Sequence, residues 1–264
     1  MFLTRNEKLI AGCTKELSKE FEMKGIGLMH YFLGLEVWQR DGEIFLNEGK
    51  YTVEILKRFR MLDCKSMATP MNSNLKLLCN DTSDPFDPTV YKHVIRSLMY
   101  LVNTRPNIYF PVNALSQYMV EPRHVHWIAT KHVLRNLKGT IGYGLRYVSD
   151  RKMELHGYTN SDWARSALDR KNTSGCCFSL GFGMISWYYR KQTSVALNAV
   201  EVEYIASCGA SKEAVWLRKM LAGLFDKELD VTMIHCDNQS CIKLSENPLD
   251  HDRSKHIDIK YHYI

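Results

Sequence analysis

The first part of the chain shows both of the hydrophobic periodicities that predict regular structure. In residues 6–22 apolar side chains recur at every third or fourth position, which predicts an amphipathic helix with its charges in solvent. Two β-prone runs, 30–39 and 43–50, lie on either side of Asp41-Gly42, and this dipeptide between such runs is typical of a hairpin. The pattern then predicts a helix from about Tyr51 to Phe59.

The middle of the chain predicts a linker and three helices. Residues 69–88 are rich in Pro, Asn, Asp and Ser and have no apolar period, which predicts an exposed linker. The dipeptides Arg105-Pro106 and Glu121-Pro122 then separate three predicted helices, at 89–102, 107–119 and 124–137. Pro111 would kink the second helix if that helix began near Pro106, at a cost of about 3 kcal/mol. Gly139 is predicted to cap the third helix.

From about Gly142 the pattern changes to short alternating runs. The segments LRYVS, ELHGYTN, GCCFSLG and MISWYYRK predict an antiparallel sheet. Asn198, with Glu201 three residues later, predicts the capped start of a long helix from about Ala199 to Leu224. VTMIHCD predicts a short buried strand that ends in a carboxylate. We therefore predict an α/β fold with a domain boundary near residue 140.

Composition limits the classes of protein that these elements can form. The 264 residues favour two domains, and 45% hydrophobic with 24% charged residues excludes a disordered chain. A net charge of +6 suits a partner with phosphates but fits a plain basic protein equally well. The eight cysteines include no C-x-x-C pair and no Cys/His group at zinc spacing. Without a signal peptide or a membrane span, we expect an intracellular protein, cytoplasmic or nuclear.

Seven motifs in the second half resemble, in the same order, the ribonuclease H domain of copia-type retrotransposons. They are HGYTNSDWA (156–164), DRKNTSG (169–175), ISW (185–187), ALNAVEVEYIA (196–206), EAVWLR (213–218), CDNQSCI (236–242) and HDRSKHIDI (251–259). Upstream, EFEMKGIGLMHYFLGLEV, the Tyr91–Leu101 segment, TRPNI and HWIATKHVLRNLKGT resemble the reverse transcriptase of these elements. The resemblance implies an α+β remnant of the reverse transcriptase palm, thumb and connection at 1–140. It implies a ribonuclease H-like mixed sheet with flanking helices at 141–264.

Two departures from the family pattern concern the polymerase and the end of the chain. The polymerase motif Tyr-x-Asp-Asp is absent from the 264 residues, so we expect no polymerase chemistry from this chain. The family's last helix is under way at Ile264, so we expect a truncated ribonuclease H domain. In the whole element the fingers and front palm would cover the hairpin at 30–48. We therefore expect exposed apolar side chains there, including Phe32, Leu33 and Trp38.

The resemblance also implies a cluster of carboxylates that holds two Mg²⁺ ions and cuts the RNA strand of an RNA–DNA hybrid. Its four positions here are Asn160, Glu203, Asp237 and Asp258. The residues themselves support two of them: Glu203 lies on the alanine-rich stripe of the long helix, and Asp237 ends a strand. A hydrogen-bonded structural role or a helix N-cap is the alternative for each.

Asn160 stands where the family has its first aspartate. An amide offers one carbonyl oxygen but lacks the full negative charge, so we expect impaired Mg²⁺ binding and little or no cleavage. Asp162 lies on the same face of the strand, about 6–7 Å further along, and is the candidate for rescue of the metal site. No small-molecule cofactor is expected.

Basic residues in or beside these motifs could contact phosphates, with ordinary solvated surface charge as the alternative for each one. They are Arg165, Arg170, Lys171, Arg190, Lys191, Arg253, Lys255 and His256. We expect weak, salt-sensitive binding to RNA–DNA hybrid or another nucleic acid. Three hypotheses remain: an inactive element-derived fragment, an active Mg²⁺- or Mn²⁺-dependent ribonuclease H, and a host-adopted binding module without catalysis.

Overall fold

A computed structural model of the chain describes residues 7–22, 29–72, 83–149, 153–162, 172–194, 196, 198–226 and 228–246. It has the α/β composition that the sequence predicts. The helices are α1 (Glu7–Leu17), α2 (Gly49–Arg58), α3 (Pro88–Leu101), α4 (Tyr109–Ser116), α5 (His124–Gly139), α6 (Ala199–Phe225) and α7 (Gln239–Glu246). The strands are β1 (Tyr31–Phe32), β2 (Leu35–Arg40), β3 (Glu43–Asn47), β4 (Gly144–Val148), β5 (Leu155–Asp162), β6 (Thr173–Leu180), β7 (Gly183–Lys191) and β8 (Met233–His235).

The strands form two four-stranded sheets. The first has the order β1-β2-β3-β4 and is antiparallel throughout. Its β2–β3 hairpin turns at Asp41-Gly42, as predicted, and Gly42 takes a φ of +70° that favours glycine. The second sheet has the order β7-β6-β5-β8, in which only the β5–β8 pair is parallel.

Strand β4 corrects one prediction. The segment LRYVS was expected in the second sheet, but it pairs with β3, where Leu145 faces Leu46. Gly144 makes this pairing possible, because a Cβ at that position would clash with the backbone oxygen of Leu46. Periodicity predicts a strand but not its partner, which depends on contacts about 100 residues away in the sequence. The chain passes from the first sheet to the second between β4 and β5.

Helices α2 to α5 bury the larger of the hydrophobic cores, which includes Ile55, Tyr91, Leu98 and Leu134. The predicted linker is not wholly exposed: its last residues pack on this core, where the ring of Phe86 stacks on Trp127 at 4.6 Å between centroids. Asp87 caps α3 by accepting a hydrogen bond of 2.7 Å from the backbone N–H of Thr89.

Helix α4 begins later than its pattern suggests. A 3-10 turn, Pro106–Ile108, precedes it, and the α-helix starts at Tyr109. Pro111 therefore lies in the first turn, where a backbone N–H has no intrahelical acceptor to lose. The penalty of a proline inside a helix does not arise. At the end of α5, Thr140 is the cap and Gly139 is the last helical residue.

Helix α6 packs on one face of the second sheet and forms another core with Leu155, Phe178, Ala210 and Leu217 among its residues. Strand β8 was predicted to be buried, and this is wrong. It is a three-residue edge strand in which Met233 is 59% exposed. An apolar strand with one neighbour has less of its surface covered than its composition suggests.

Side chains also join the two sheets and their helices. Tyr147 of β4 donates a hydrogen bond of 2.7 Å to the backbone oxygen of Met184 in β7. Asn113 of α4 donates one of 3.2 Å to the backbone oxygen of Tyr189. On the first sheet Phe32, Leu33 and Trp38 are exposed, as predicted, with Trp38 at 58%. Within the described part of the chain, no helix is long and apolar enough to cross a membrane.

Candidate functional site

Asn160 is the third residue from the carboxyl end of β5. Along this strand the buried residues Leu155, Gly157 and Thr159 alternate with more exposed ones. Asn160 is exposed there, directly opposite Gly175 of β6. The amide that replaces the family's first carboxylate therefore lies near the strand end and is open to solvent.

Glu203 approaches the same strand end from α6. Asn198 caps this helix by accepting a hydrogen bond of 2.9 Å from the backbone N–H of Glu201, which confirms the predicted start. Glu203 lies on the first turns and is 6% exposed, so the predicted inward orientation is also confirmed. Its Oε1 accepts a hydrogen bond of 3.0 Å from the backbone N–H of Ser161.

Strand β8 brings Asp237 to this edge. The parallel pairing of β5 with β8 ends at Tyr158 and His235, whose rings stack at 4.8 Å between centroids. Cys236 and Asp237 therefore follow at the same end of these two parallel strands as Asn160 and Ser161. Asn238, and not Asp237, caps α7: its Oδ1 accepts a hydrogen bond of 3.0 Å from the backbone N–H of Cys241.

Glu203, Cys236 and Asp237 come together at this edge. Each offers one ligand atom, and these three atoms lie within 4.8 Å of one another. The sequence indicates the two carboxylates and not the thiol, because Cys236 has none of the paired spacings that are typical of zinc modules. The sequence signal for Cys236 is that it directly precedes an aspartate at the end of a strand. The chain leaves the sheet there, so side chains no longer alternate strictly between the two faces of the sheet.

A second thiol lies beside this cluster. The Sγ of Cys241 is 3.6 Å from the Oγ of Ser207 on α6. Burial raises the pKa of Cys241 to about 12, against the opposing effect of the hydrogen bond from Ser207. Cys241 is therefore a neutral thiol at physiological pH and is buried beside the three clustered residues.

The donor set does not match a pair of Mg²⁺ ions. Mg²⁺ is a hard cation that takes oxygen ligands, and a two-metal site needs several carboxylates around it. Among the described residues, this edge gathers two carboxylates and one sulfur, while Asn160, exposed near the end of β5, offers a neutral amide. We therefore derive no catalytic step through Mg²⁺ from these residues.

The other predicted site residues fall into two groups. Asp258, Arg165, Arg170, Lys171, Arg253, Lys255 and His256 lie outside the described residues, as does the side chain of Asp162. Arg190 and Lys191 are exposed at the end of β7, and Lys191 pairs through Thr173 with the backbone of Asp162 at the end of β5. Both cations thus lie at the same end of the strands as the carboxylates, but on β7, the edge strand opposite to β8.

Comparisons with known proteins give matches along the whole chain. A family model described as reverse transcriptase (RNA-dependent DNA polymerase) matches residues 1–73. Over its whole length the chain is 37% identical to the retrovirus-related Pol polyprotein from transposon RE2 of Arabidopsis thaliana, of which it covers 18%. It is 36% identical to the Pol polyprotein from transposon TNT 1-94 of Nicotiana tabacum, of which it covers 20%. No solved structure matches the chain.

These matches define a protein related to the reverse transcriptases of mobile elements. The chain belongs to the family of copia-type retrotransposon Pol polyproteins. It spans about a fifth of the length of the Pol relatives that it matches. It is also 37% identical to an uncharacterized mitochondrial protein of Arabidopsis thaliana, in an alignment over 76% of this chain and 83% of that protein.

Proposed function

We propose that this chain is a reverse transcriptase and ribonuclease H segment that binds RNA–DNA hybrids weakly and does not cut them. The observation that carries the proposal is the side chain at the end of β5, where Asn160 replaces the family's first aspartate. Only Glu203 and Asp237, of the four positions in the family motif, supply carboxylates within the described residues. The polymerase motif is also absent from the sequence.

The missing charge matters because the reaction stabilises negative charge with metal ions. Two cations placed close together repel each other unless several carboxylates surround them, and an amide removes one full negative charge from that set. The carbonyl oxygen of Asn160 can accept one weak metal contact, while its NH₂ group cannot ligate a cation. We therefore expect cleavage to be absent with Mg²⁺.

Binding of a hybrid does not require the metal site that cleavage requires. Arg190 and Lys191 lie exposed at the end of β7, at the same end of the strands as Glu203 and Asp237, where they can contact the phosphates of a hybrid that crosses the strand ends. The chain has a net charge of +6, which favours association with phosphates at low salt. Such contacts position a nucleic acid without reading its sequence, so the expected binding is weak and insensitive to sequence.

An active ribonuclease H is the second candidate, because Glu203 and Asp237 do converge. A cleavage assay on the full chain separates the two. The unaltered chain, Asn160→Asp and Glu203→Gln are incubated with a labelled hybrid in Mg²⁺ and in Mn²⁺. Asn103→Asp, which changes an exposed asparagine after α3, is the matched control. We expect no cleavage by the unaltered chain or the control, and partial activity in Asn160→Asp.

Each outcome bears on the proposal. Cleavage by the Asn160→Asp variant alone, or by none of the proteins, supports a chain that does not cut. Cleavage by the unaltered chain that is lost in Glu203→Gln contradicts the proposal and makes the chain an enzyme. Hybrid affinity is measured in parallel by fluorescence anisotropy at several salt concentrations, and no binding at low salt contradicts the binding half.

The contribution of the two cations is tested in the same titrations. Replacing Arg190 and Lys191 together with glutamine removes up to two phosphate contacts, which lowers the slope of log affinity against log salt by about one to two. Replacing Lys57 and Arg58, which are exposed at the end of α2, is the matched control. Equal losses of hybrid affinity in the two double variants would show that the general charge of the protein, and not the end of β7, holds the nucleic acid. A host-adopted module without catalysis would instead bind one partner tightly and prefer it to hybrid.

A further inference from the structure

We propose that Glu203, Cys236 and Asp237 form a binding site for a thiophilic divalent cation such as Zn²⁺. The proposal rests on the donor set at the edge of the second sheet and does not depend on hybrid binding or cleavage. It concerns a different ion from the Mg²⁺ that the family resemblance implies. Two of its ligands, Glu203 and Asp237, are positions that the resemblance assigns to Mg²⁺, and Cys236 is the ligand that no spacing in the sequence indicates.

The distances suit one small ion. The three ligand atoms lie within 4.8 Å of one another. In a tetrahedral zinc site with Zn–S near 2.3 Å and Zn–O near 2.1 Å, the sulfur and oxygen ligands are about 3.6 Å apart. A contraction of about 1 Å would bring the three atoms to ligand distance. Rotation of the half-buried side chain of Cys236 and the exposed side chain of Asp237 can supply this contraction.

The rest of the site is held in place by the fold. The backbone N–H of Ser161 fixes one oxygen of Glu203 at 3.0 Å, and this buried side chain comes from the second turn of a 27-residue helix packed on the sheet. Cys236 and Asp237 lie between β8 and the cap that Asn238 provides for α7. One buried ligand on a rigid helix and two ligands on a short connection give an ion both a fixed anchor and an entry path.

The chemistry of the donors decides which ion fits. Thiolate is a soft ligand that Mg²⁺ avoids and that Zn²⁺ or Cd²⁺ binds well, whereas the two carboxylates supply the negative charge that any divalent cation needs. With three protein ligands the fourth tetrahedral position remains open to water. The Sγ of Cys236 would bind the ion as a thiolate.

The test uses Cd²⁺ on the full reduced chain, because a cadmium–thiolate bond gives an ultraviolet charge-transfer band. We expect a band that saturates at one equivalent, that Zn²⁺ abolishes by competition, and that a large excess of Mg²⁺ leaves unchanged. Cys236→Ser is expected to remove this saturable band and to weaken Cd²⁺ binding, measured by calorimetry, at least tenfold. Asp237→Asn, an exposed substitution, is expected to weaken binding and to keep the band.

Two further variants separate this site from its neighbours. Cys177→Ser changes a half-buried cysteine on β6 outside the cluster and is expected to keep both the band and the affinity. Cys241→Ala removes the thiol beside Ser207 and is also expected to keep the band. Loss of the band in Cys241→Ala with retention in Cys236→Ser overturns the proposal, as does displacement of Cd²⁺ by equimolar Mg²⁺. Circular dichroism of each variant verifies that a lost band does not reflect lost structure.

Discussion

The indole Nε1 of Trp187 donates a hydrogen bond of 2.9 Å to the backbone oxygen of Val102. Trp187 belongs to β7 of the second sheet, and Val102 caps α3 in the core of the first part of the chain. The contact joins residues 85 positions apart, next to the hydrogen bond from Asn113 to Tyr189. The two sheets and their helices therefore share an interface with polar contacts of defined geometry.

Trp187→Phe tests how much this interface contributes. The substitution keeps an aromatic ring and removes the only donor of the indole, so we expect the free energy of unfolding to fall by about 1 kcal/mol. Urea denaturation followed by circular dichroism measures it, with Trp216→Phe, an exposed tryptophan on α6, as the control. Equal effects of the two substitutions would show that the bond to Val102 contributes nothing specific.

Glu48 predicts a dependence of stability on pH. Burial raises its pKa to about 7, against the opposing effects of a hydrogen bond from Thr104 and the charge of Arg105. Because the folded state holds the proton more tightly than the unfolded chain, this group favours folding below pH 4.5 and loses that contribution as the pH rises through 7. Glu48→Gln should thus stabilise the protein at pH 8, by on the order of 1–2 kcal/mol after allowance for solvent screening.

The control for this prediction is Glu54→Gln, which changes an exposed glutamate on the same helix, α2. Urea melts at pH 5 and pH 8 measure the free energy of unfolding of both variants. We expect the benefit of Glu48→Gln to shrink toward zero at the lower pH, where the native carboxyl is already neutral. The same benefit at both pH values would contradict a raised pKa.

Gly142 and Gly144, which follow α5, provide a matched pair of substitution sites. A Cβ at Gly144 would clash with the backbone oxygen of Leu46 and approach Asn47, whereas a Cβ at Gly142 meets nothing within 4 Å. We expect Gly144→Ala to separate β4 from β3 and to cost about 2–3 kcal/mol. Gly142→Ala should change stability by less than about 1 kcal/mol. Thermal unfolding of both variants decides, and equal midpoints would argue against the β3–β4 pairing.

The exposed side of the first sheet predicts self-association. Trp38 is 58% exposed and lies opposite Phe45 on the neighbouring strand. Trp38→Thr keeps a β-favouring residue and removes a large apolar surface, so we expect higher solubility and weaker binding of a hydrophobic dye. Val120→Thr, at an exposed valine outside the sheet, is the control and should leave both unchanged. No gain from Trp38→Thr would mean that this surface is not what limits solubility.

Local pattern was enough to predict most elements and the inward orientation of Glu203, because helix periodicity and capping act within a few residues. It failed where the outcome depends on distant partners. The sequence of β4 suits either sheet, and the backbone of β3 decides which one it joins. Likewise, the place of β8 at the edge of its sheet decides how much of Met233 is covered. Cys236 belongs to the candidate site only because β5 and β8 run parallel and bring it to Glu203.

Strand β4 also determines where the chain can be divided. A protease cut or a gene boundary at residue 140 would leave β3 with unpaired backbone groups along one side, since β4 is its only neighbour there among the strands that the structure describes. The C-terminal piece would begin with a loose β-prone segment that no longer has its partner. Both pieces would then carry exposed pairing edges, which are the usual starting points of aggregation. A division after Val148 keeps this sheet whole, so the minimal independent form of the second sheet starts at β5.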